Sequence, residues 1–224
     1  MKLVHPDLEN QILFLENKVN VVTIENKQFF SSFIQELGRQ CAGDEGNFVL
    51  VDTDVELDIA KSCVLIIDPF SIDINNKSIL NKVLTQLKML AVTEDHYMET
   101  NKIKSNIYAY LDSLLFDCDV PLIYQDDFDF SALFKMMNIR LENSGITLLE
   151  NILDYLAVSI ELLSIRCFFF VNLKQFLSYE ELDRLYTFAQ YAKIDMILFE
   201  GCFMGSKHSC ETHYIIDNDL CEIY

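Results

Sequence analysis

The sequence predicts an α/β fold with a mostly parallel sheet and an inserted all-helical segment. Short apolar runs at residues 47–51, 63–67 and 167–171 have the composition of strands buried on both faces. Between residues 76 and 164 the apolar residues recur instead at helical spacing. Because strands separated by helices usually pair in parallel, the two ends of the chain are expected to share one sheet.

The N-terminal elements are predicted from local patterns. Residues 2–4 favour a short edge strand, and residues 11–16 and 19–25 favour two strands that we expect to form a hairpin. A helix follows, with Gly38 as a candidate end. Its apolar stripe consists of Phe29, Phe30, Phe33, Ile34 and Leu37.

The middle and C-terminal elements follow from the same rules. Helical stripes occupy residues 79–91, 103–115 and 148–163, with a strand conceivable only at 122–124. Ser178 and Glu181 have the spacing of a capping box that begins a further helix. The last strands are predicted at residues 196–199, 213–216 and 220–223.

Together these elements divide the chain into three parts. Residues 1–75 form the first part of an α/β head, residues 76–164 form a helical leg, and residues 165–224 complete the head.

Composition narrows the class of protein. The chain has 224 residues, and with 51% hydrophobic residues it has ample material for a core. It carries 17 basic and 35 acidic residues, for a net charge of −18. Taken alone, this charge argues against a protein that coats polyanions and favours metal ions or basic partners.

The expected location is the cytoplasm, with no membrane association. No apolar run approaches the length of a membrane span, and the first residues lack the apolar region of a signal peptide. Seven cysteines at irregular spacing do not resemble a disulfide framework, so a reducing environment is expected.

The residues predict neither a nucleotide site nor an enzyme. Residues 26–31, which follow an early strand, read Asn-Lys-Gln-Phe-Phe-Ser and lack the glycines that cradle phosphate groups. Asn172 follows a buried strand at a position where a magnesium-holding acid is expected, and it lacks the charge. We therefore expect no bound nucleotide and no catalytic residues.

Acidic residues dominate the stretch between Lys104 and Lys135, which contains no basic residue. Its acids are Asp112, Asp117, Asp119, Asp126, Asp127 and Asp129. Such a cluster suits a hard cation such as calcium, which takes about 6–8 oxygen ligands in flexible geometry. The alternatives are a solvated acidic loop, or capping by Asp129 of a helix that begins at Phe130.

A second acidic run, at residues 52–58, alternates acids with other residues. It fails the test for an EF-hand, because Leu57 stands where glycine is required and Cys63 where glutamate is required. A solvated strand edge or loop is the favoured interpretation.

Cysteines and histidines near the C-terminus leave a zinc site open. Cys202, His208, Cys210 and His213 offer four ligands, although their spacing matches no standard site. A Cys/His nucleophile pair lacks any residue to orient it, and free buried cysteines are common.

Basic residues are thinly spread, and solvated helix faces explain most of them. In an oligomer, a few lysines from each subunit could nevertheless line one shared channel, because the local field matters more than the total charge. The candidates are Lys61, Lys77, Lys82, Lys88, Lys102 and Lys104.

Several segments together resemble a known family. They are Val22-Thr-Ile-Glu25, the strand end Ile66-Ile-Asp68, Asp73-Ile-Asn75, Phe-Val-Asn172, Phe176-Leu-Ser-Tyr-Glu-Glu181 and Asp195-Met-Ile-Leu-Phe-Glu200. In order and over essentially the full length, they resemble the Csn family of small accessory proteins in type II-A CRISPR adaptation modules.

The resemblance implies a P-loop-ATPase-like head without nucleotide hydrolysis and a helical leg inserted into it. It implies a ring-shaped homotetramer that binds double-stranded DNA ends during spacer acquisition, a step of antiviral defence. It also implies calcium ions as cofactors, and the CRISPR integrase and effector nuclease as partner proteins.

The same resemblance assigns site residues. Its calcium ligands fall on Asp126 and Asp127, with Asp129 and Glu142 as further candidates. The six lysines above become the candidates for DNA contact. However, residues 54–58 are acidic where the resemblance implies a basic loop. This leaves open a second hypothesis, a protein-interaction scaffold of the adaptation complex on the same fold.

Overall fold

The computed structural model describes residues 1–125, 127–143, 145–203 and 207–223. They form two compact units. The first unit is Met1–Ile74 with Asn143–Tyr224, and the second unit is Asn75–Glu142. The predicted α/β class, with a largely parallel sheet, is confirmed.

The strands are β1 (Lys2–Val4), β2 (Ile12–Leu13), β3 (Val19–Ile24), β4 (Val49–Asp52), β5 (Val55–Leu57), β6 (Cys63–Ile66), β7 (Cys167–Val171), β8 (Asp195–Glu200), β9 (Glu211–Ile216) and β10 (Glu222–Ile223). The helices are α1 (Lys27–Cys41), α2 (Ile59–Ser62), α3 (Lys77–Ala91), α4 (Glu94–Phe116), α5 (Phe130–Met136), α6 (Leu148–Leu163) and α7 (Tyr179–Ala192).

The larger sheet has the order β10-β9-β3-β8-β7-β6, and only β10 is antiparallel to its neighbour. Strand β3 lies inside this sheet, with all six residues buried. The predicted hairpin between residues 11–16 and 19–25 is therefore wrong: β2 pairs with β1 in the other sheet. A strand that is apolar on both faces is stable only between covering helices, which a two-stranded hairpin does not supply.

The smaller sheet is antiparallel, in the order β2-β1-β4-β5. The hairpin of β4 and β5 turns at Thr53 and Asp54. Their φ angles of 47° and 68° lie in the left-handed region, as both central residues of a tight two-residue hairpin turn require. The acidic run at residues 52–58 is thus a hairpin whose outer strand, β5, is the sheet edge. This agrees with the predicted solvated strand edge, and charges at such an edge discourage unwanted strand pairing.

Helices cover both faces of the larger sheet. On one face α1 buries Phe33, Ile34 and Leu37, as its stripe predicts, and the helix continues through Gly38 to Cys41. On the other face α6 and α7 bury aliphatic residues that include Leu156 and Leu185. Both α6 and α7 begin with a capping box, and the one at Ser178 and Glu181 was predicted.

Helix α6 belongs to the first unit, whereas the sequence placed residues 148–163 in the helical leg. The reason is its apolar face: Leu149, Ile152 and Leu156 are at most 1% exposed and pack in the same cluster as residues of β7 and β8. The helical unit accordingly ends at Glu142 rather than near residue 164.

The second unit consists of α3, α4 and α5 with their connections. Asn75 closes it, because its side chain accepts the N–H of Leu141 at 2.8 Å and donates to the Leu141 carbonyl at 3.1 Å. Residues 122–124 form no strand. Throughout the described part of the chain, we find no helix long and apolar enough to cross a membrane.

Candidate metal and nucleic-acid interface

The acidic segment before α5 is held in place by a row of aromatic rings. Tyr124 stacks on Tyr108 of α4 with ring centroids 5.5 Å apart, and its hydroxyl donates to Asp112 at 2.8 Å. Phe128 contacts Tyr108 edge-on and Phe130 at 4.9 Å. Aromatic pairs of this kind stabilise the packing of Tyr124 and Phe128 against α4.

Asp129 begins α5, as the capping alternative predicts. Its Oδ1 accepts the N–H of Ser131 at 2.9 Å and a hydrogen bond from Lys88 Nζ at 3.2 Å. The hydrogen bond from the Ser131 backbone is the main reason that the pKa of Asp129 lies below its ordinary value. Both bonds are made to Oδ1, and the lowered pKa favours the ionised form of Asp129, which is the form that a cation would bind.

Two of the other predicted calcium ligands, Asp127 and Glu142, are exposed carboxylates. Asp127 and Glu142 lie at the surface of the second unit. Asp126 lies outside the described residues. Oxygen donors of this type fit calcium, but among the described residues no three acidic, histidine or cysteine side chains form a ready metal group. The donor chemistry therefore fits the ion, while the described side chains do not yet converge on one point.

The lysines of α3 fall on more than one face. Lys77 and Lys88 are exposed and lie about three turns apart on the same side of the helix, whereas Lys82 lies on a different side. Lys88 also pairs with Asp129 across the surface. The structure thus brings two of the three α3 lysines into one line.

The remaining lysine candidates are dispersed. Lys102 and Lys104 are two positions apart on α4 and so face opposite sides, and Lys104 lies over the Tyr108 ring at 5.4 Å from its centroid. Lys61 lies in the first unit and pairs with Asp58 at 2.7 Å. Lys102 and Lys104 therefore do not form one line on α4, and Lys61 is paired within its own unit.

At the ends of β3 and β7, where a nucleotide site would be expected, asparagine side chains bind the protein's own backbone. After β3, Asn26 caps α1 by accepting the N–H groups of Gln28 and Phe29 at 3.1 and 3.0 Å. After β7, the Asn172 side chain accepts the N–H of Gly201 at 2.9 Å and so ties β7 to the end of β8. Both asparagine side chains therefore accept hydrogen bonds from backbone N–H groups of the protein itself.

The histidines considered for zinc serve other contacts. His208 stacks on Tyr179 at 3.7 Å between ring centroids and meets Tyr186 edge-on. His213 Nε2 lies 2.9 Å from Glu211. Among the described residues these histidines share no metal group with Cys202 and Cys210, and Cys202 is exposed.

A buried charge network beneath α7 was not predicted from the sequence. Lys174 Nζ donates to both carboxylate oxygens of Glu211, at 2.8 and 3.1 Å, and the Tyr186 hydroxyl donates to one of them at 2.8 Å. Burial alone would raise the pKa of Glu211, but the bonds from Lys174 and Tyr186 hold it below its ordinary value. Lysine and glutamate are surface residues by default, so no pattern signalled this pair.

Glu200, at the end of β8, is the second buried carboxylate in this region. Its Oε1 accepts the backbone N–H of Lys174 at 3.0 Å, and its Oε2 has no hydrogen-bond partner among the residues that the structure describes. Burial raises the pKa of Glu200 to about 7, against the opposing effect of the Lys174 N–H and ammonium.

The comparison with known families decides the identity. Residues 40–220 match the model of the family described as CRISPR-associated protein (Cas_Csn2), which is more than half of the chain. The chain belongs to the Cas_Csn2 family. The resemblance stated from the sequence is thereby confirmed, and the Cas_Csn2 match spans parts of both units.

Proposed function

We propose that this Cas_Csn2 protein binds double-stranded DNA ends during spacer acquisition, without catalysing a reaction itself. The observation that carries the proposal is the family match over residues 40–220. The capped start of α1 and the structural use of Asn172 support a protein that does not hydrolyse nucleotides. Binding of an acidic chain to DNA then requires local positive charge.

Assembly into a homotetramer would supply that charge. Lys77 and Lys88 form one exposed line on α3. Repeating this line in several subunits would place several ammonium groups around a common channel, where phosphate contacts release counterions. The second unit also exposes large apolar side chains, which is typical of surfaces that pair with other subunits. Those exposed by at least three quarters are Met98, Phe116 and Ile123.

Calcium would complete this arrangement by neutralising the acidic segment. Asp127 and Asp129, with Asp126 and Glu142, would hold the ion through carboxylate oxygens, which are the donors that calcium prefers. Bound calcium would supply positive charge next to Lys88 and reduce the repulsion between the acids and phosphate groups. The chain's own residues would hold the segment through the Tyr124–Tyr108 stack.

A scaffold without DNA affinity is the second candidate, and the hairpin at residues 52–58 favours it. Asp54 directly precedes the exposed edge strand β5, and Glu56 lies within it. Lys61, which follows this strand, forms an ion pair with Asp58. If this edge faced DNA, its acids would repel phosphate groups. The protein would then join the integrase and the effector nuclease through protein contacts alone.

One pair of measurements separates the two functions. Fluorescence anisotropy with a short linear duplex at low salt, with calcium present, reports direct DNA binding. A pulldown with purified integrase reports protein contact. In the DNA-end hypothesis, Lys77→Gln/Lys88→Gln weakens duplex binding. In the scaffold hypothesis, wild type shows no duplex binding, and the pulldown survives the double substitution.

A further inference from the structure

The outer strand of the smaller sheet, β5, has a free edge. It follows β4 through the two-residue turn at Thr53 and Asp54, and β4 is its only partner among the described strands. In such a hairpin the residues that flank the turn, Asp52 and Val55, form a hydrogen-bonded pair, so the next residue, Glu56, directs its N–H and carbonyl away from β4. Among the described residues these two groups bond to no other backbone group.

A small cavity opens beside this edge. Its volume is about 170 Å³, which is below the range of sites that take whole small molecules and leaves room for about one long side chain. One wall contains Gly43 and Asp44, which follow α1, and the other wall is formed by residues 56–60, from β5 into α2. The free edge and the cavity therefore belong to one surface of the first unit.

We propose that this surface binds an extended segment of a partner protein that is rich in lysine or arginine. The segment pairs with β5 as an additional strand and places a basic side chain in the cavity. Strand addition of this kind takes its affinity from backbone hydrogen bonds and its specificity from pockets for alternate side chains. The inference goes beyond the proposed function, because it requires neither DNA nor calcium.

The charge of the cavity selects a basic occupant. Asp44, Glu56 and Asp58 line it, all three are exposed, and no basic residue is among its described lining residues. Asp58 pairs with Lys61 at 2.7 Å, whereas Asp44 and Glu56 form no ion pair with any described residue. Two carboxylates without a cation, beside an open strand edge, are complementary to ammonium and guanidinium groups.

The spacing of the acids matches that of a strand. Glu56 lies in β5, and the backbone of Asp58 is still extended, with φ −68° and ψ 109°. Because side chains alternate between the two faces of an extended chain, these two carboxylates lie on the same side, and an added strand carries its own alternate side chains at the same interval. Basic residues two positions apart in the segment therefore meet both acids.

Three other occupants fit this edge less well. Duplex DNA would bring phosphate groups against the acids, which repel them. A second copy of the chain, paired through the same edge, would place like charges opposite one another, and this destabilises a pair of strands. A single metal ion requires ligands that converge on one point, and among the described residues these acids form no such group.

The test is fluorescence anisotropy at low salt on the full-length protein, with a short labelled peptide in which lysine alternates with threonine. Two peptides of the same length are controls. One carries glutamate in place of lysine, and the other keeps the lysines but has N-methylated backbone amides. Charge reversal should abolish binding. N-methylation should weaken it about tenfold, because each methyl group removes a backbone donor without changing the charge.

Variants of the protein locate the bound peptide. Asp44→Asn/Glu56→Gln removes the two carboxylates that have no ion pair, and it is expected to weaken binding of the lysine peptide about tenfold. Glu16→Gln/Glu161→Gln changes the net charge by the same amount at exposed positions outside the cavity. This control should bind the peptide with nearly the affinity of the wild type.

Lys61→Gln tests the same surface in the opposite direction. It releases Asp58 from its ion pair and removes a positive charge that repels the peptide, so the affinity should rise about twofold. A substitution that merely disturbed the hairpin would lower the affinity instead.

Three results would overturn the inference. Equal binding of the lysine and glutamate peptides, or no binding of either, would remove the charge complementarity. An N-methylated peptide that binds as tightly as the unmodified one would show attraction without strand pairing. Equal affinities of Asp44→Asn/Glu56→Gln and Glu16→Gln/Glu161→Gln would place the peptide on another surface.

Discussion

Lys174 Nζ lies 2.8 Å from Oε1 of Glu211, and the two side chains are 2% and 0% exposed. This ion pair joins the turn after β7 to the first residue of β9. It therefore fixes the start of β9 to the segment that follows β7. Buried charges are costly unless they are paired, so each partner depends on the other for its stability.

Replacing the lysine alone should destabilise the protein strongly. Lys174→Met leaves the Glu211 carboxylate buried without its cation, and we expect a loss of about 3–5 kcal/mol in the free energy of unfolding. Urea denaturation monitored by circular dichroism measures this loss. Lys174→Met/Glu211→Gln should recover part of it, because residue 211 then no longer carries a buried charge without a cation.

The control is the exposed pair of Lys61 and Asp58. Lys61→Met should leave the urea midpoint unchanged, because exposed ion pairs contribute little. Equal losses for the two lysine substitutions would contradict the role given to burial.

The pH dependence of stability should reveal Glu200. Its pKa rises from 4.5 in the unfolded chain to about 7 in the fold, so the folded state binds the extra proton. The stabilising contribution of Glu200 to the free energy of unfolding is complete below pH 4.5 and is lost as the pH rises through about 7. Its size is at most about 3 kcal/mol. Glu200→Gln resembles the protonated form and should remove this dependence.

His213 acts in the opposite direction. Burial lowers the pKa of His213, so near pH 6.5 the unfolded chain binds more protons at this residue than the folded protein does. The free energy of unfolding therefore rises with pH in this range. Because the wild type and Glu200→Gln both contain His213, its effect cancels in the difference between their free energies of unfolding. That difference should grow in favour of the variant between pH 5 and pH 8, and a difference independent of pH would show that Glu200 is not buried as described.

Sequence patterns predicted the fold wherever local chemistry determines structure. Phe33 and Leu37 recur at helical spacing and are buried, and Ser178 with Glu181 caps α7. The pairing between segments that are distant in the sequence was harder to predict from local patterns. The strand at Val19–Ile24 has the same local pattern whether it forms a hairpin or lies inside a parallel sheet, and only its contacts with β8 and β9 decide.

The candidate site was predicted less completely. Asp129 was recognised both as an acid of the cluster and as a helix cap, because capping has a local signal. The burial of Lys174 and Glu211 depends on the packing of α7 over β9, for which the sequence offers no pattern. The proposed convergence of lysines from several subunits is likewise not specified by the sequence of one chain.

The two aligned lysines of α3 should control DNA affinity if the proposed function is right. Lys77→Gln/Lys88→Gln is expected to weaken binding to linear duplex and to reduce the slope of log K against log salt by about 2 per subunit that contacts DNA. Lys27→Gln in α1 is the control, and a salt titration of the anisotropy signal measures both. Equal slopes of log K against log salt for the two variants would show that α3 does not contact the DNA.

Calcium binding should depend on the acids that flank Phe128. Asp127→Asn and Asp129→Asn each remove a charged oxygen ligand, and we expect about tenfold weaker calcium binding by isothermal titration calorimetry. Asp119→Asn, in the same exposed stretch but outside the assigned ligand set, should bind calcium as the wild type does. If all three variants match the wild type, the ion is held elsewhere or not at all.

The measurement that tests the central claim most directly compares linear duplex DNA with a covalently closed circle of the same sequence in a mobility-shift titration. The sample is of measured mass, and the titration is run with calcium and with chelator. We predict a tetramer that shifts the linear DNA at low salt, binds the closed circle far more weakly and loses affinity when calcium is removed. Equal affinity for both DNA forms, or no shift of either, would contradict the assignment of DNA ends as the ligand.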